Sequence, residues 1–536
     1  MHAIVPSPTS VAVFIGYTHP LKTLAGDDGK PVGISGFADY QRQFGGVVRS
    51  AAFANAFDAA SMPGAFGDLA QGVMQFFLNG GTDAYVVSVN RASPGSILDR
   101  IVPPKALNIG GLAFTQLEVT DEAYLMCVVI RPAPATTPPG DPVADIAVSY
   151  GPAATDVVPS TPAIAVGPGT LIETYRGVSL NPASANYILR VMSASALVGV
   201  SVSSPPPGSF PDNGGQPYFF PVLLPGSTKF YSPSDFTSVL RADTALDGLP
   251  AFNLMVLPGI ADNSASGDAG GATILAAATA FCERKRAFLI MDPPVRDSAD
   301  GSIASNPHGI EATVNGRSFP RSSNAALYFP YLLSTNPIAG SPEEIPPAAT
   351  VAGIYAATDA AAGVWKAPAG LQARTADVTG VVARGRMTDQ RQGVLNQLGV
   401  NCLRDFASAG TVVFGARTLA TTLGQQWRYV PVRRMALFLE QTLDANLKWA
   451  TFEPNAAPLW SAITADVEAF MFALFKRGAF QGSKPSEAFS VECGSRTMTQ
   501  ADIDNGIVNV VVGFAAVRPA EFVIITIAQA AGQPRP

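Results

Sequence analysis

Three histidines, His2, His19 and His308, are all that this 536-residue chain offers for imidazole chemistry, and no two of them are neighbours in sequence. A hydrolytic zinc site needs histidines a helical turn apart with a carboxylate at hand, and no His-Glu-x-x-His occurs. The serine nucleophile pattern G-x-S-x-G is absent as well. Gly267-Asp268-Ala269-Gly270-Gly271-Ala272-Thr273 opens a helix after a strand, as a phosphate cradle does. It lacks the P-loop lysine and the dinucleotide spacing, so a plain loop with a helix start is favoured. Met291-Asp292-Pro293-Pro294 sets a carboxylate at a strand's carboxyl end, where α/β active sites gather. Asp before Pro is also an ordinary turn residue, and that reading is preferred. His308 lies in a loop rich in Gly, Pro and Asn and reads as solvent-exposed. Cys127, Cys282, Cys402 and Cys493 form no C-x-x-C pair and read as buried thiols of a reducing compartment. Trp365, Trp427, Trp449 and Trp460 read as core or helix-contact residues rather than a ligand box. No catalytic, cofactor-binding or metal-ligating residue is therefore expected, and the chain reads as a non-enzyme.

Charge is more informative than nucleophilicity. Charged residues make up 14% of the chain, against about 25% in ordinary soluble domains, while 47% is hydrophobic. An Ala/Gly/Pro-rich composition, with 50 Gly and 45 Pro, is the bland explanation; surface hidden in an oligomer is the sharper one, and the two are compatible. The net charge of −6 argues against general nucleic-acid binding. Two cationic pairs stand out. Lys476-Arg477 ends a helix, where the dipole favours cations; Arg433-Arg434 opens one, where the dipole disfavours them. A pair placed there points to an external anionic partner or to an acidic residue from another segment. The N-terminus lacks a cationic signal-peptide start, and apolar runs such as 269–282 fall short of a membrane span. Cytoplasmic synthesis without membrane insertion is expected.

The elements that would carry these residues change texture along the chain, and the length suits three to four domains. Residues 1–20 are extended: Pro6 and Pro8 forbid helix, and Val11-Ala12-Val13-Phe14-Ile15 is a strand stopped by Gly16. Residues 35–44 and 51–78 read as helical, the latter ending in Asn79-Gly80-Gly81 before a strand at 84–89. From 96 to 234 prolines cluster, short β-prone runs alternate with turns, and helical periodicity is scarce, which predicts an inserted β-rich domain. Beyond 234 the pattern reverts to strand–helix–strand. Helices are predicted at 234–240 and 269–286, and apolar strands at 252–259, 287–292 and 325–329, in a parallel sheet covered on both faces. Spacings of three and four predict amphipathic helices at 432–449 and 459–477. The chain then gives strands at 507–517 and 521–529, the last being Glu521-Phe522-Val523-Ile524-Ile525-Thr526-Ile527-Ala528-Gln529. The fold class is α+β multidomain, with α/β core domains formed by the N- and C-terminal parts and an inserted β-rich outer domain. The expected divisions are 1–20 (arm), 21–95, 96–234 (outer domain), 235–370, 371–518 and 519–536 (arm).

The ends of the chain resemble the contractile tail sheath family of contractile phage tails and phage-tail-like injection systems. The residues that carry the likeness are Thr9-Ser10-Val11-Ala12-Val13-Phe14-Ile15-Gly16, Phe37-Ala38-Asp39-Tyr40 with Phe44-Gly45-Gly46, and Phe76-Phe77-Leu78-Asn79-Gly80-Gly81 with Ala84-Tyr85-Val86-Val87. Gly353-Ile354-Tyr355-Ala356 and Gly363-Val364-Trp365-Lys366-Ala367-Pro368-Ala369-Gly370 follow. The C-terminal match runs through Asn401-Cys402-Leu403-Arg404, Gly415-Ala416-Arg417-Thr418-Leu419, Trp427-Arg428-Tyr429-Val430-Pro431-Val432-Arg433-Arg434 and Phe452-Glu453-Pro454-Asn455. Residues 96–234 resemble nothing nameable.

That resemblance implies a structural subunit that polymerises as stacked hexameric rings around an inner tube protein, between baseplate and terminator or cap proteins. It is assembled in the bacterial cytoplasm, binds no nucleic acid, and contracts without ATP to drive the tube through a target envelope. It implies that terminal arms add strands to neighbouring subunits. The arm residues would be Val11, Val13 and Ile15 at one end and Phe522, Ile524, Ile525 and Ile527 at the other, received by the sheet containing 507–517. Arg433, Arg434, Lys476 and Arg477 would be tube-facing charges. The chain departs from the family in having about ten residues ahead of its first strand. The competing expectation is an α/β hydrolase-like enzyme with a β-rich insertion, with a cleft of convergent titratable groups and a stable monomer.

Overall fold

The computed structural model describes residues 2–520 except 20–21, 24–28, 47–64, 91–105, 119, 121–123, 135–139, 155–161, 166–169, 222–231, 262–269, 295–309, 316–319, 336–341, 383–386 and 421–425. Its first part comprises β1 (Ala12–Gly16), β2 (Val32–Ile34), α1 (Phe37–Phe44), α2 (Ala65–Leu78) and β3 (Ala84–Ser88). Next come seven strands, β4 (Leu107–Ile109), β5 (Leu112–Gln116), β6 (Tyr124–Pro132), β7 (Val143–Pro152), β8 (Leu171–Ser179), β9 (Val198–Val202) and β10 (Tyr218–Phe219). The α/β pattern resumes with α3 (Pro233–Val239), β11 (Leu254–Val256), α4 (Gly270–Lys285), β12 (Phe288–Met291) and β13 (Ala325–Phe329). It continues with β14 (Leu332–Thr335), β15 (Pro342–Ile345), α5 (Ala348–Ala362), β16 (Gly380–Val381), α6 (Asp389–Gln397), β17 (Val400–Phe406) and β18 (Gly410–Val413). The last part holds α7 (Val430–Asn446), α8 (Ala457–Lys476), β19 (Phe489–Cys493) and β20 (Val510–Phe514).

One eight-stranded sheet dominates, in the order β18-β17-β13-β12-β11-β1-β3-β2. Its six inner strands are mutually parallel, and β2 and β18 close the two edges in antiparallel pairing. The strands are apolar on both faces because both are covered. Val13, Ile15, Met255 and Leu289 pack under α3 and α4 through Phe236, Ile274 and Phe281. Ala12, Phe14, Val256 and Ile290 pack under α2 and α5 through Val73, Phe76, Val351 and Tyr355. The sheet draws strands from 12–88, 254–329 and 400–413, so a boundary at 370 cuts through it rather than between units.

The position of β1 corrects an expectation. As an inter-subunit arm it would need a free edge. Instead it pairs with β3 on one side, over Ala12 to Gly16, and with β11 on the other, over Ala12 to Phe14. Val13 and Ile15 are fully buried, and the Val11 N–H donates to Asn253 Oδ1. Proximity to the chain end made the strand look peripheral; its uninterrupted apolar character is what a central parallel strand needs.

Residues 107–219 form two further antiparallel sheets, β10-β6-β7-β8 and β4-β5-β9, which share a core of Phe114, Met126, Val128, Ile146, Val148 and Phe220. At the C-terminal end, Pro431 and Pro458 sit in the first turns of α7 and α8, where a missing N–H costs nothing. Met435, Phe438, Ile463, Val467, Met471 and Leu474 join these helices in a separate small core, against which β19 and β20 lie.

Candidate assembly interface

β19 and β20 pair with each other, Phe489 opposite Phe514 and Cys493 opposite Val510, and among the described residues neither has a second strand beside it. A two-stranded ribbon is marginal alone and presents unpaired main-chain groups on each outer edge. Val510, Val512 and Phe514 alternate along β20 and so share one face. That face lines a groove of about 710 Å³ whose other wall is α7, with Leu439, Leu443 and Leu447, and with Trp427 just ahead of the helix. On the opposite face of β20, Val511 is 54% exposed. Half-buried apolar residues thus line the groove on one face of β20 and Val511 is exposed on the other, on a strand that also has an open edge.

The wall of the groove carries alternating charge. Arg433 Nη1 reaches Glu440 at 3.2 Å, Arg286 Nε lies 3.8 Å from the same carboxylate, and Arg286 Nη1 is 3.3 Å from Asp444. These partly exposed pairs are worth little in stability, but they hold the rim polar while the floor stays apolar.

The four expected tube-facing cations divide. Arg434 is interior: its guanidinium makes a bidentate pair with Asp359 (2.9 and 2.6 Å), donates to the Thr9 carbonyl at 2.8 Å and lies 4.8 Å over the Tyr355 ring. The partner required to offset a cation at a helix start is thus an acidic residue of α5, and Arg434 is no surface charge. Arg433 is mostly covered, donating to Asn324 Oδ1 at 2.9 Å with its guanidinium 5.1 Å over Trp427. Lys476 and Arg477 are exposed at the end of α8, over Phe472 and Trp365 respectively. Phe522, Ile524, Ile525 and Ile527 lie outside the described residues.

The residues weighed for chemistry are structural where they are described. Asp292 is buried, and its carboxylate accepts N–H bonds from Gly259 (2.9 Å) and from Ala348 (2.7 Å) at the start of α5. Burial pushes it up to about 7 against the opposing pull of those two bonds. It is a staple between loops rather than a solvent-facing acid. His19 is buried against Glu118 (3.1 Å), and His2 stacks on Trp449 with ring centroids 4.3 Å apart; His308, Gly267 and Asp268 lie outside the described residues. The four cysteines are free, and burial raises the Cys127 thiol to about 11 and Cys402 to about 12. Among the described residues no group of three metal-ligating side chains occurs. Sequence reasoning missed Asn253, Gln441, Asn446 and Asp466, polar residues on apolar elements that fasten α7 and α8 to the rest of the chain. The available signal was an acid on the buried face of α8, between Ile463 and Val467.

The family profile for the phage tail sheath protein central domain matches residues 241–419, and that for the phage tail sheath C-terminal domain matches 422–530, together more than half of the chain. A tail sheath protein of Vibrio phage KVP40 is 28% identical over 130 residues, 24% of this chain and 19% of that protein, so the chain spans about a fifth of the length of the curated relative it matches. The fold is similar to a chain in the six-fold symmetrised baseplate of the anti-feeding prophage (TM-score 0.55, 22% identity, 98% of this chain and 95% of that one). It is also similar to a chain of the contracted PVC sheath complex of an extracellular contractile injection system (TM-score 0.53, 20% identity, 99% and 94%).

Proposed function

The chain belongs to the phage tail sheath family, and from that premise we propose that it is the structural subunit of a contractile sheath around an inner tube. Subunits stack as hexameric rings between a baseplate and a terminator, assemble in the bacterial cytoplasm, and contract to drive the tube through a target envelope. The six-fold baseplate and contracted sheath in which its structural neighbours are found support that arrangement. The hydrolase-like alternative has no support from the family match, which is to a structural protein.

The observation that carries the reading is the apolar groove between α7 and the open strand β20. Its occupant is residues 521–529 of a neighbouring copy. That run carries apolar residues at both alternating sets of positions: Phe522 and Ile524 on one face, Val523, Ile525 and Ile527 on the other. Such a strand gains by being covered on both sides, by β20 along its edge and by Leu439, Leu443 and Leu447 over one face. Each subunit would then be stitched to the next through main-chain hydrogen bonds that tolerate rigid-body sliding.

Truncation after 518 tests this. The full-length chain should form tubes or rings by negative-stain microscopy. The truncated chain should stay a monomer in size-exclusion chromatography, with an unchanged far-UV circular dichroism spectrum. Tubes of ordinary length from the truncated chain would overturn the strand-donation reading.

A further inference from the structure

The N-terminal segment ahead of β1 is extended and lies along the C-terminal helices of its own chain. The Val5 N–H donates to Asn446 Oδ1 at 2.9 Å, and Asn446 Nδ2 donates back to the Val5 carbonyl at 2.8 Å. The Ser7 N–H donates to Thr442 Oγ1 at 3.1 Å, and Arg434 donates to the Thr9 carbonyl at 2.8 Å. Asn253 Nδ2 donates to the Pro8 carbonyl at 2.8 Å while its oxygen takes the Val11 N–H at 2.9 Å. At the far end, both oxygens of Asp466 accept from the His2 N–H, at 3.0 and 3.1 Å.

We propose that the α7–α8 face is a docking site that reads main chain, and that its occupant is this chain's own N-terminal segment, held in cis as a strap rather than lent to a neighbour. The spacing explains how a helix can do this. Thr442 and Asn446 are one helical repeat of four apart, about 6 Å along the axis. Ser7 and Val5 are two residues apart in an extended chain, about 6.6 Å. Successive N–H groups on one edge of the segment therefore meet successive side chains of the helix, which stand in for the edge of a strand.

The outer edge of the strap points the same way. In an extended chain N–H groups alternate sides, so those at positions 6 and 8 would face away from the helix. Both positions are proline and exposed, with no N–H to offer an arriving strand. The outer edge of the strap therefore offers no donor at these positions to a further strand. Withdrawing the strap would also strip Asp466 of the N–H bonds from His2 and unstack His2 from Trp449.

This inference goes beyond the sheath reading and partly limits it, because linkage between copies then falls to the other end of the chain. The test places a photo-crosslinking benzoylphenylalanine at the exposed Val5 position and mixes subunits labelled with ¹⁴N and ¹⁵N before assembly. A cis strap gives crosslinks between residue 5 and α7 in which both peptides carry the same label. Mixed-label crosslinks in statistical proportion, or none to α7 and α8, overturn it. If the unmodified chain makes no polymer, the sheath reading fails on its own, and the same label test on the monomer still decides where the strap sits. A second readout avoids the photoprobe. Asp466→Ala combined with Asn446→Ala should make residues 2–10 cleavable by protease in a chain that stays folded. Unchanged resistance would mean that these side chains do not hold the strap.

Discussion

Arg434 shows which of two electrostatic effects governs a cation at a helix start. The dipole of α7 opposes it by about 0.3–1 kcal/mol. Leaving a guanidinium or its carboxylate partner buried and alone costs about 3–5 kcal/mol. With side-chain exposures of 3% for Arg434 and 2% for Asp359, the second effect decides, and it ties α7 to α5 and to Thr9 at once. Arg434→Ala should therefore lower the unfolding free energy of the monomer by about 3–5 kcal/mol in urea titration. The double replacement Arg434→Met with Asp359→Leu should recover most of that loss, since an apolar pair of similar volume leaves no orphaned charge. A single replacement as mild as a surface substitution would mean that solvent reaches Asp359. Nothing near position 434 names Asp359 as the partner, because the two are 75 residues apart; the sequence asks for an acid there and does not say which.

At the scale of elements, α2 and α5 cross closely where glycine leaves room for the facing backbone, most tightly on α5 at Gly353. A Cβ on Gly353 would stand 2.6 Å from the Phe76 carbonyl oxygen and 2.7 Å from Asn79 Cβ. Backbone cannot give way as a flexible side-chain tip can. Gly353→Ala should cost about 1–3 kcal/mol through overpacking. Gly393 within α6 meets nothing within 4 Å, so Gly393→Ala should be neutral or stabilise by about 0.4–1 kcal/mol. Comparing the two by urea titration separates packing from helix propensity, and equal effects would deny the close crossing. This contrast also marks what was legible. The buried strands at 254–256, 288–291 and 325–329 announced themselves as apolar runs, and α7 and α8 by their three-and-four spacing. The partners of those strands did not, because register and neighbour order arise from contacts far apart in sequence. So β1, which the sequence suits to an inter-subunit arm, lies inside the sheet between β11 and β3. The polar side chains that dock the strap are illegible in sequence for the same reason: Asn446 and Val5 are 441 residues apart.

Across the whole molecule, a short polar segment after β1 joins the large sheet to the β-rich unit formed by residues 107–219. The Tyr17 hydroxyl donates to the buried Asp235 and accepts the Ser232 N–H at 3.1 Å, where the chain re-enters the α/β part. Asn90, just beyond β3, accepts the Thr18 N–H at 3.0 Å. Glu118, beyond β5, takes His19 at 3.1 Å and Lys22 at 2.5 Å. Burial alone would raise the Glu118 carboxyl, but the bond and charge of His19, with those of Lys22, more than offset it and hold the group below its ordinary value. A carboxylate depressed on folding contributes stability that is complete above the unfolded value near 4.5 and disappears as pH falls through the folded one. The joint should therefore stay closed from neutral pH down to the ordinary glutamate range and loosen only in stronger acid. Glu118→Gln should loosen it at pH 7, because the neutral amide keeps an acceptor for Lys22 but loses the charge that the Lys22 ammonium opposes. Hydrogen exchange of the amides in β5 and around Thr18 reads this directly, with faster exchange expected in the variant at pH 7 while α4 and β12 exchange as before. If the variant matches the unsubstituted chain at pH 7, apolar packing alone fixes the β-rich unit to the sheet.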